Sequence, residues 1–288
     1  MIDIKSVAIT GSTGMIGLAL TKYLIKKNIK VIMFIRENSQ KKDLIPNSDL
    51  IEVVECNLNN LKNIKLELKC DCFIHLGWDQ TIGEGRDNTY LQLRNIEYTL
   101  DAIKLAKTMN AKKFVGVGSQ AEYGIKSEKL SINTSCNPIT GYGIAKYSAG
   151  KLAGLLCKQL NIEFNWIRVL SVYGENDSPK TLYSYLKKCF IEDISPELTK
   201  CEQIWDYIEV NDAVEIIYRI CKYGENQITY PLGSGKPIVL KEFVEKLKNK
   251  YNSNVEIKYG AKAYSDSQVM YLVADMEYLT KLGIDIYE

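Results

Sequence analysis

The chain has 288 residues, of which 46% are hydrophobic and 25% charged, with a formal net charge of +2. That length suits one large α/β domain with a smaller lobe, and the composition is that of a globular protein. The near-neutral balance supplies no basic field for nucleic acid or an anionic membrane, no apolar run reaches spanning length and no leader is expected, so a cytoplasmic location follows.

The first apolar run, residues 7–9, ends in Thr10-Gly11-Ser12-Thr13-Gly14-Met15-Ile16-Gly17. A helix is expected from about 15 to 27. A strand that runs through close glycines into a helix is a dinucleotide site. The glycines permit a tight turn and close backbone approach to a pyrophosphate, and the helix N-terminus offers free N–H groups. Further strands are expected at 31–35, 51–55, 72–76, 114–117 and 164–169. Helices are expected at 91–110, where Ile96, Leu100, Ile103 and Ala106 recur at helical spacing, and at 141–160. This alternation predicts a Rossmann-type, doubly wound parallel sheet with a small C-terminal α/β substrate lobe. Beyond Gly174 the rhythm changes. A helix is expected at 211–223, a strand at 228–232, a helix at 240–250 and a short strand at 255–259. The expected division is a dinucleotide-binding domain over 1–174, to which 204–224 return, and a lobe made of 175–203 and 225–288.

Eight cysteines include no C-x-x-C pair, and His75 is the only histidine. Both facts argue for reduced thiols in the core and against a metal site. Tyr142 and Lys146 share one helix face at i and i+4. A phenol titrating near 10 exchanges protons poorly at neutral pH, and an adjacent ammonium with an oxidised nicotinamide ring would lower that value. Ser119 follows a strand, where its hydroxyl can hydrogen-bond a substrate carbonyl as charge builds on oxygen. Arg36 ends the second strand, one residue beyond the position of a ribose-binding acid. An arginine there suits a 2′-phosphate and favours NADP(H) over NAD(H), with Glu37 an opposing charge.

The glycine run, Ser119 and the Tyr142/Lys146 pair, in that order, resemble the extended short-chain dehydrogenase/reductase family. The likeness is to its NAD(P)-dependent epimerase/dehydratase group, which acts on nucleotide sugars. His75-Leu76-Gly77, Asn95, the run from Arg168 to Gly174 and the run from Trp205 to Asp212 extend the resemblance over nearly the whole chain. It implies catalytic roles for Ser119, Tyr142 and Lys146, with Lys146 also on the nicotinamide ribose. It places the cofactor against Gly11, Ser12, Thr13, Gly14, Met15, Ile16, Gly17, Arg36, Asn57, Leu58, Leu76 and Gly77. It places the nucleoside-diphosphate sugar against Gln120, Tyr123, Ser171 and Trp205. His75 is read as a packing and orienting residue. The family's dehydratases carry an acid pair where this chain has Gln120 and Ala121, so dehydration is disfavoured, and Glu122 lies one position further on. Trp205 stands where relatives place an arginine, leaving either Lys180 or Lys187 as a cation for the diphosphate or the Trp205 ring to stack on the base. The implied activity is NADP(H)-dependent reduction of a nucleoside-diphosphate 4-keto-6-deoxyhexose for deoxysugar and surface-polysaccharide synthesis. The alternative is a 4-epimerase with tightly held NAD; a non-catalytic NADP(H) sensor is disfavoured by the intact Tyr142/Lys146 pair. By the same resemblance, the helices at 91–110 and 141–160 would pair across a homodimer.

Overall fold

A computed structural model describes residues 2–265 and 268–284. The first half alternates as expected. Strands β1 (Ser6–Thr10), β2 (Lys30–Ile35), β3 (Ile51–Glu55), β4 (Cys72–His75), β5 (Lys113–Ser119) and β6 (Glu163–Val169) are joined by helices that include α1 (Met15–Lys26), α2 (Thr89–Thr108) and α3 (Gly141–Leu160). The second half holds β7 (Ser171–Tyr173), α4 (Leu182–Ile191), β8 (Ile204–Glu209), α5 (Val210–Tyr223), β9 (Ile228–Leu232), β10 (Pro237–Val239), α6 (Leu240–Lys250), β11 (Tyr271–Leu272) and α7 (Glu277–Lys281).

Seven parallel strands form the main sheet in the order β3-β2-β1-β4-β5-β6-β9. Both faces are covered, so the strands are apolar at successive positions, and alternation decides which face each residue joins. Val7, Ile9, Val31 and Met33 pack with α1 and α5, through Leu18, Leu24, Val214 and Ile217. Ala8, Ile32 and Phe34 point the other way, to the layer where Ile103 and Ala106 of α2 meet Ala149 and Ala153 of α3. The order reverses between β1 and β4. The crevice there, beyond the strand carboxyl ends, is where such sheets bind ligands.

The expected division of the chain is corrected at three points. The 228–232 strand, assigned to the lobe, is β9 and completes the main sheet beside β6. Its Tyr230 and Leu232 are fully buried, which a strand in a small half-covered lobe would not achieve. The 204–209 segment, assigned to the main domain, is β8, the centre of the small sheet; it pairs with β7, β10 and β11. Leu279 of α7 and Ile284 return to the main core. The 255–259 segment, expected as a strand, forms one isolated bridge, Lys258 to Glu197, and its other backbone hydrogen bonds do not continue a ladder. All eight cysteines are unpaired thiols, seven of them buried. No helix among the described residues is long and apolar enough to cross a membrane.

Candidate active site

The glycine turn is closed by Gly14 N–H donating to the Gly11 carbonyl at 3.0 Å. Gly11 has φ +67°, and a Cβ there would lie 2.7 Å from Gly77 N, so only glycine fits between β1 and the β4 loop. Helix α1 starts at Gly14 with no side-chain cap and no acid in its first turn. Its first N–H groups are therefore left for an acceptor outside the chain, as a pyrophosphate requires.

A cleft of about 670 Å³ opens over this turn. Gly11, Thr13, Gly14, Arg36, Asn57, Leu58, Leu76 and Gly77 line it, together with Lys41, Trp78 and Lys180. Four expected cofactor residues are placed otherwise. The Ser12 hydroxyl donates to the Phe34 carbonyl at 2.8 Å, bracing β2. Gly17 is buried, and a Cβ there would lie 2.6 Å from Ser12 Cα, so it serves the packing of α1 on the turn. The side chains of Met15 and Ile16 are partly buried against the main core and do not line the cleft. Of the two lysines considered for the diphosphate, Lys180 lines the cleft and Lys187 does not.

A side pocket of about 300 Å³ adjoins the cleft, lined by Arg36, Asn38, Gln40, Lys41 and Asn57. No carboxylate lines it among the described residues, and Glu37 is absent from its wall. Lys41 is a cation that sequence reading missed; it follows β2 by six residues, outside any motif.

His75 is buried, with Nδ1 2.7 Å from Thr10 Oγ1 and Nε2 3.4 Å from Thr99 Oγ1. Burial, then the Lys146 charge, pull its pKa from 6.5 to about 3, so it stays neutral. Thr10 Oγ1 also accepts from Gly77 N–H at 3.2 Å. His75 thus orients the end of β1 against the β4 loop, as expected of it.

The three candidate catalytic residues converge from β5 and α3. Thr140 Oγ1 accepts from Gly143 N–H and Asp87 Oδ1 from Gly141 N–H, which fixes the start of α3. A Cβ on Gly143 would lie 2.5 Å from the Ala121 carbonyl, so this glycine lets Tyr142 approach the turn after Ser119. Lys146 is 4% exposed and donates to the Val117 carbonyl at 2.6 Å. Burial lowers its pKa from 10.5 to about 7, against an upward pull from Glu122. Tyr142 is raised from its ordinary value, because burial outweighs the Ser119 hydrogen bond and the Arg86 charge.

Sequence reasoning missed several residues around this cluster. The Lys146 ammonium lies 3.8 Å from the Trp78 ring centroid, and Trp78 meets Tyr142 edge-on at 6.0 Å. Trp78 Nε1–H donates to Gln92 Oε1, and the Gln92 amide donates to the carbonyls of Gln80 and Gly85. Arg86, in the loop so held, sits 4.5 Å from the Tyr142 ring centroid. Two sequence signals were present. Trp78 directly follows His75-Leu76-Gly77, and Gln92 precedes Asn95 by three residues on the same helix face.

The expected substrate residues divide. Gln120 is partly exposed beside Ser119, and Ser171 is partly exposed in β7. Tyr123 is fully buried under the Arg168 guanidinium, and its hydroxyl donates to the Ser131 carbonyl at 3.4 Å. Its side chain belongs to a core with Leu130 and Leu170, so it does not face the cleft. The Trp205 indole donates to the Val269 carbonyl at 2.7 Å, and its ring packs against Tyr207, so it is a brace of the small sheet. Glu122 turns into the core, where Oε2 accepts from Arg168 Nε at 2.7 Å. The carboxylate nearest Ser119 in sequence is therefore withheld from the cleft.

Comparison with known proteins agrees with this architecture. Residues 7–233 match the NAD dependent epimerase/dehydratase family. CDP-abequose synthase of Salmonella muenchen is 27% identical, over 98% of this chain and 94% of that protein. The dTDP-6-deoxy-L-talose 4-dehydrogenase (NAD(+)) of Aggregatibacter actinomycetemcomitans is 23% identical, over 92% of this chain and 98% of its own length. The fold is shared with UDP-N-acetylglucosamine 4-epimerase from Methanobrevibacter ruminantium M1, at a TM-score of 0.87, 20% identity, and coverage of 98% and 92% of the two chains. A Rossmann-type sheet, an uncapped glycine turn and a Ser119–Tyr142–Lys146 cluster over the matched segment together mean that the chain belongs to the NAD-dependent epimerase/dehydratase family of enzymes.

Proposed function

We propose that the protein is an NADPH-dependent reductase of a nucleoside-diphosphate 4-keto-6-deoxyhexose. The observation that carries the cofactor choice is the side pocket, where Arg36 and Lys41 stand and no carboxylate competes with a 2′-phosphate. The substrate class is supported by the names of the relatives, among them a dehydrogenase acting at position 4 of a dTDP-6-deoxyhexose. Glu122, tied to Arg168, leaves no carboxylic acid on the Ser119 turn for elimination of water.

When bound, the nicotinamide cofactor supplies hydride to the carbonyl carbon. Tyr142 gives its phenolic proton to the carbonyl oxygen, and the Ser119 hydroxyl donates a hydrogen bond to that oxygen as charge builds. The Lys146 ammonium stabilises the phenolate that remains. A raised Tyr142 pKa keeps the proton on the phenol before reaction, which suits reduction.

The test is NADPH and NADH consumption with a panel of nucleoside-diphosphate 4-keto-6-deoxyhexoses. Stoichiometric loss of NADPH with one member is expected. Tyr142→Phe should abolish turnover while sparing cofactor binding. Replacing both Arg36 and Lys41 with Ala should weaken NADPH binding about 10–100-fold and leave NADH nearly unchanged. Interconversion of intact nucleotide hexoses without net cofactor loss would identify a 4-epimerase instead.

A further inference from the structure

Trp166 of β6 is fully buried and lies in a trough made by three glycines. Gly116 and Gly118 of β5 have no room for a Cβ beside its ring, and a Cβ on Gly150 of α3 would lie 2.8 Å from it. The indole therefore sets the separation between β5, which ends in Ser119, and α3, which carries Tyr142 and Lys146. Its Nε1–H is held by Glu122, at 3.0 Å to Oε1 and 3.2 Å to Oε2. Oε1 also accepts from Ser119 N–H at 2.9 Å, and Oε2 from Arg168 Nε at 2.7 Å. Glu122 is fully buried, and it closes a reciprocal capping box with Ser119.

A buried ion pair is seldom worth more stability than an apolar pair of equal volume. Here the carboxylate joins the Ser119 backbone, the Trp166 spacer and the Arg168 anchor through separate hydrogen bonds. We infer that Glu122 is a positioning residue that fixes Ser119 relative to Tyr142 and Lys146. The inference rests on the reading of those three as the reacting groups. Around Glu122 stand Arg168 on β6, Tyr123 beside it, Cys136 from the following loop, and Tyr142 and Lys146 on α3. Arg168 in turn lies 6.0 Å from the Tyr147 ring centroid. Glu122 is the anion of this set, and its charge favours the protonated forms of Lys146 and Tyr142.

The experiment compares wild type with Glu122→Gln in two readouts. The first is the NMR titration of Lys146 Nζ in cofactor-free, ¹⁵N-lysine-labelled protein, assigned with Lys146→Met. The second is kcat and KM against pH with the keto-sugar that the panel identifies. Expected are a Lys146 midpoint lower by about half a pH unit, the matching limb of kcat moved the same way, kcat reduced about 10–100-fold and KM within about threefold. An unmoved midpoint and unchanged kcat overturn the inference. Should Glu122→Gln fail to fold, Trp166→Phe decides. It keeps the ion pair but removes the indole N–H and narrows the spacer. A kcat loss of about tenfold or more with the Lys146 midpoint unmoved supports positioning, and an unchanged kcat overturns it. If no panel member turns over yet the midpoint falls in Glu122→Gln, the reductase reading fails and the coupling of Glu122 to the site stands.

Discussion

At the residue scale, Lys146 is a cation placed where water barely reaches it. Its compensation comes from the Val117 carbonyl, the face of Trp78 and the charge of Glu122, with the Tyr142 and Trp166 rings about 6 Å away. Burial lowers its folded-state pKa to about 7, from 10.5. The unfolded chain therefore binds more protons across that interval, and stability attributable to Lys146 rises with pH from about 7 to 10.5. Below that window the full cost of a buried ammonium is present. Lys146→Met should then be inactive yet melt higher than wild type at pH 7, with the difference shrinking toward pH 10. Thermal melts over this range, read beside turnover, check it; a variant less stable than wild type at pH 7 would refute the argument. The grouping of Ser119, Tyr142 and Lys146 was legible because the three stand in motifs whose spacing brings them together, and their roles are those proposed above. Glu122, Trp78 and Lys41 were not legible, since burial, ring stacking and the reach of a loop depend on contacts far apart in sequence. Tyr123 was misplaced for the same reason: its neighbours suggest a cleft, but the turn directs its ring into the core.

At the element scale, local pattern located the strands and helices, and pairing decided which sheet they joined. Strand β9 reads as a short apolar run, and nothing in that run says whether it lies beside β6 or in the lobe. Its partner is set by the depth of the main sheet, which buries both of its faces. Strand β8 leaves the main sheet by pairing with β7, and a buried carboxylate secures it. Asp206 accepts from Ser234 N–H at 2.6 Å, Ser234 Oγ–H at 2.5 Å, Gly235 N–H at 2.8 Å and Ala274 N–H at 3.1 Å. One side chain thus ties β8 to the loop after β9 and to the segment after β11. A Cβ on Gly233 would run into this carboxylate, so the glycine and the acid require each other. Asp206→Asn keeps the shape but cannot accept all four bonds, and its amide hydrogens face donors. A loss of about 3 kcal/mol is expected. Denaturant unfolding measures it, and hydrogen exchange should show the excess opening in the small sheet before the main one.

At the scale of the whole molecule, α2 and α3 pack on each other and cover one face of the main sheet, yet their outer surfaces are apolar in places. Tyr90 and Leu93 of α2 are 79% and 54% exposed, and Ile144, Leu152 and Leu155 of α3 are 51%, 43% and 61% exposed. Scattered exposed leucines need no explanation, but five large apolar side chains on two adjacent helices have a common one in a second copy of the pair. Two such helices from each protomer form a four-helix arrangement about a two-fold axis, in which the same patch meets itself. We propose a homodimer through this face. In such a dimer, burying these side chains would also stiffen α3, which carries Tyr142 and Lys146 near its N-terminus. Changing Leu93 and Leu155 together to Glu places like charges against each other across the axis. The pair of substitutions should convert a dimer to a monomer in light scattering and lower turnover without altering the cleft residues. A wild-type protein that runs as a monomer at micromolar concentration would refute the dimer, and a dimer unmoved by the two substitutions would place its interface elsewhere.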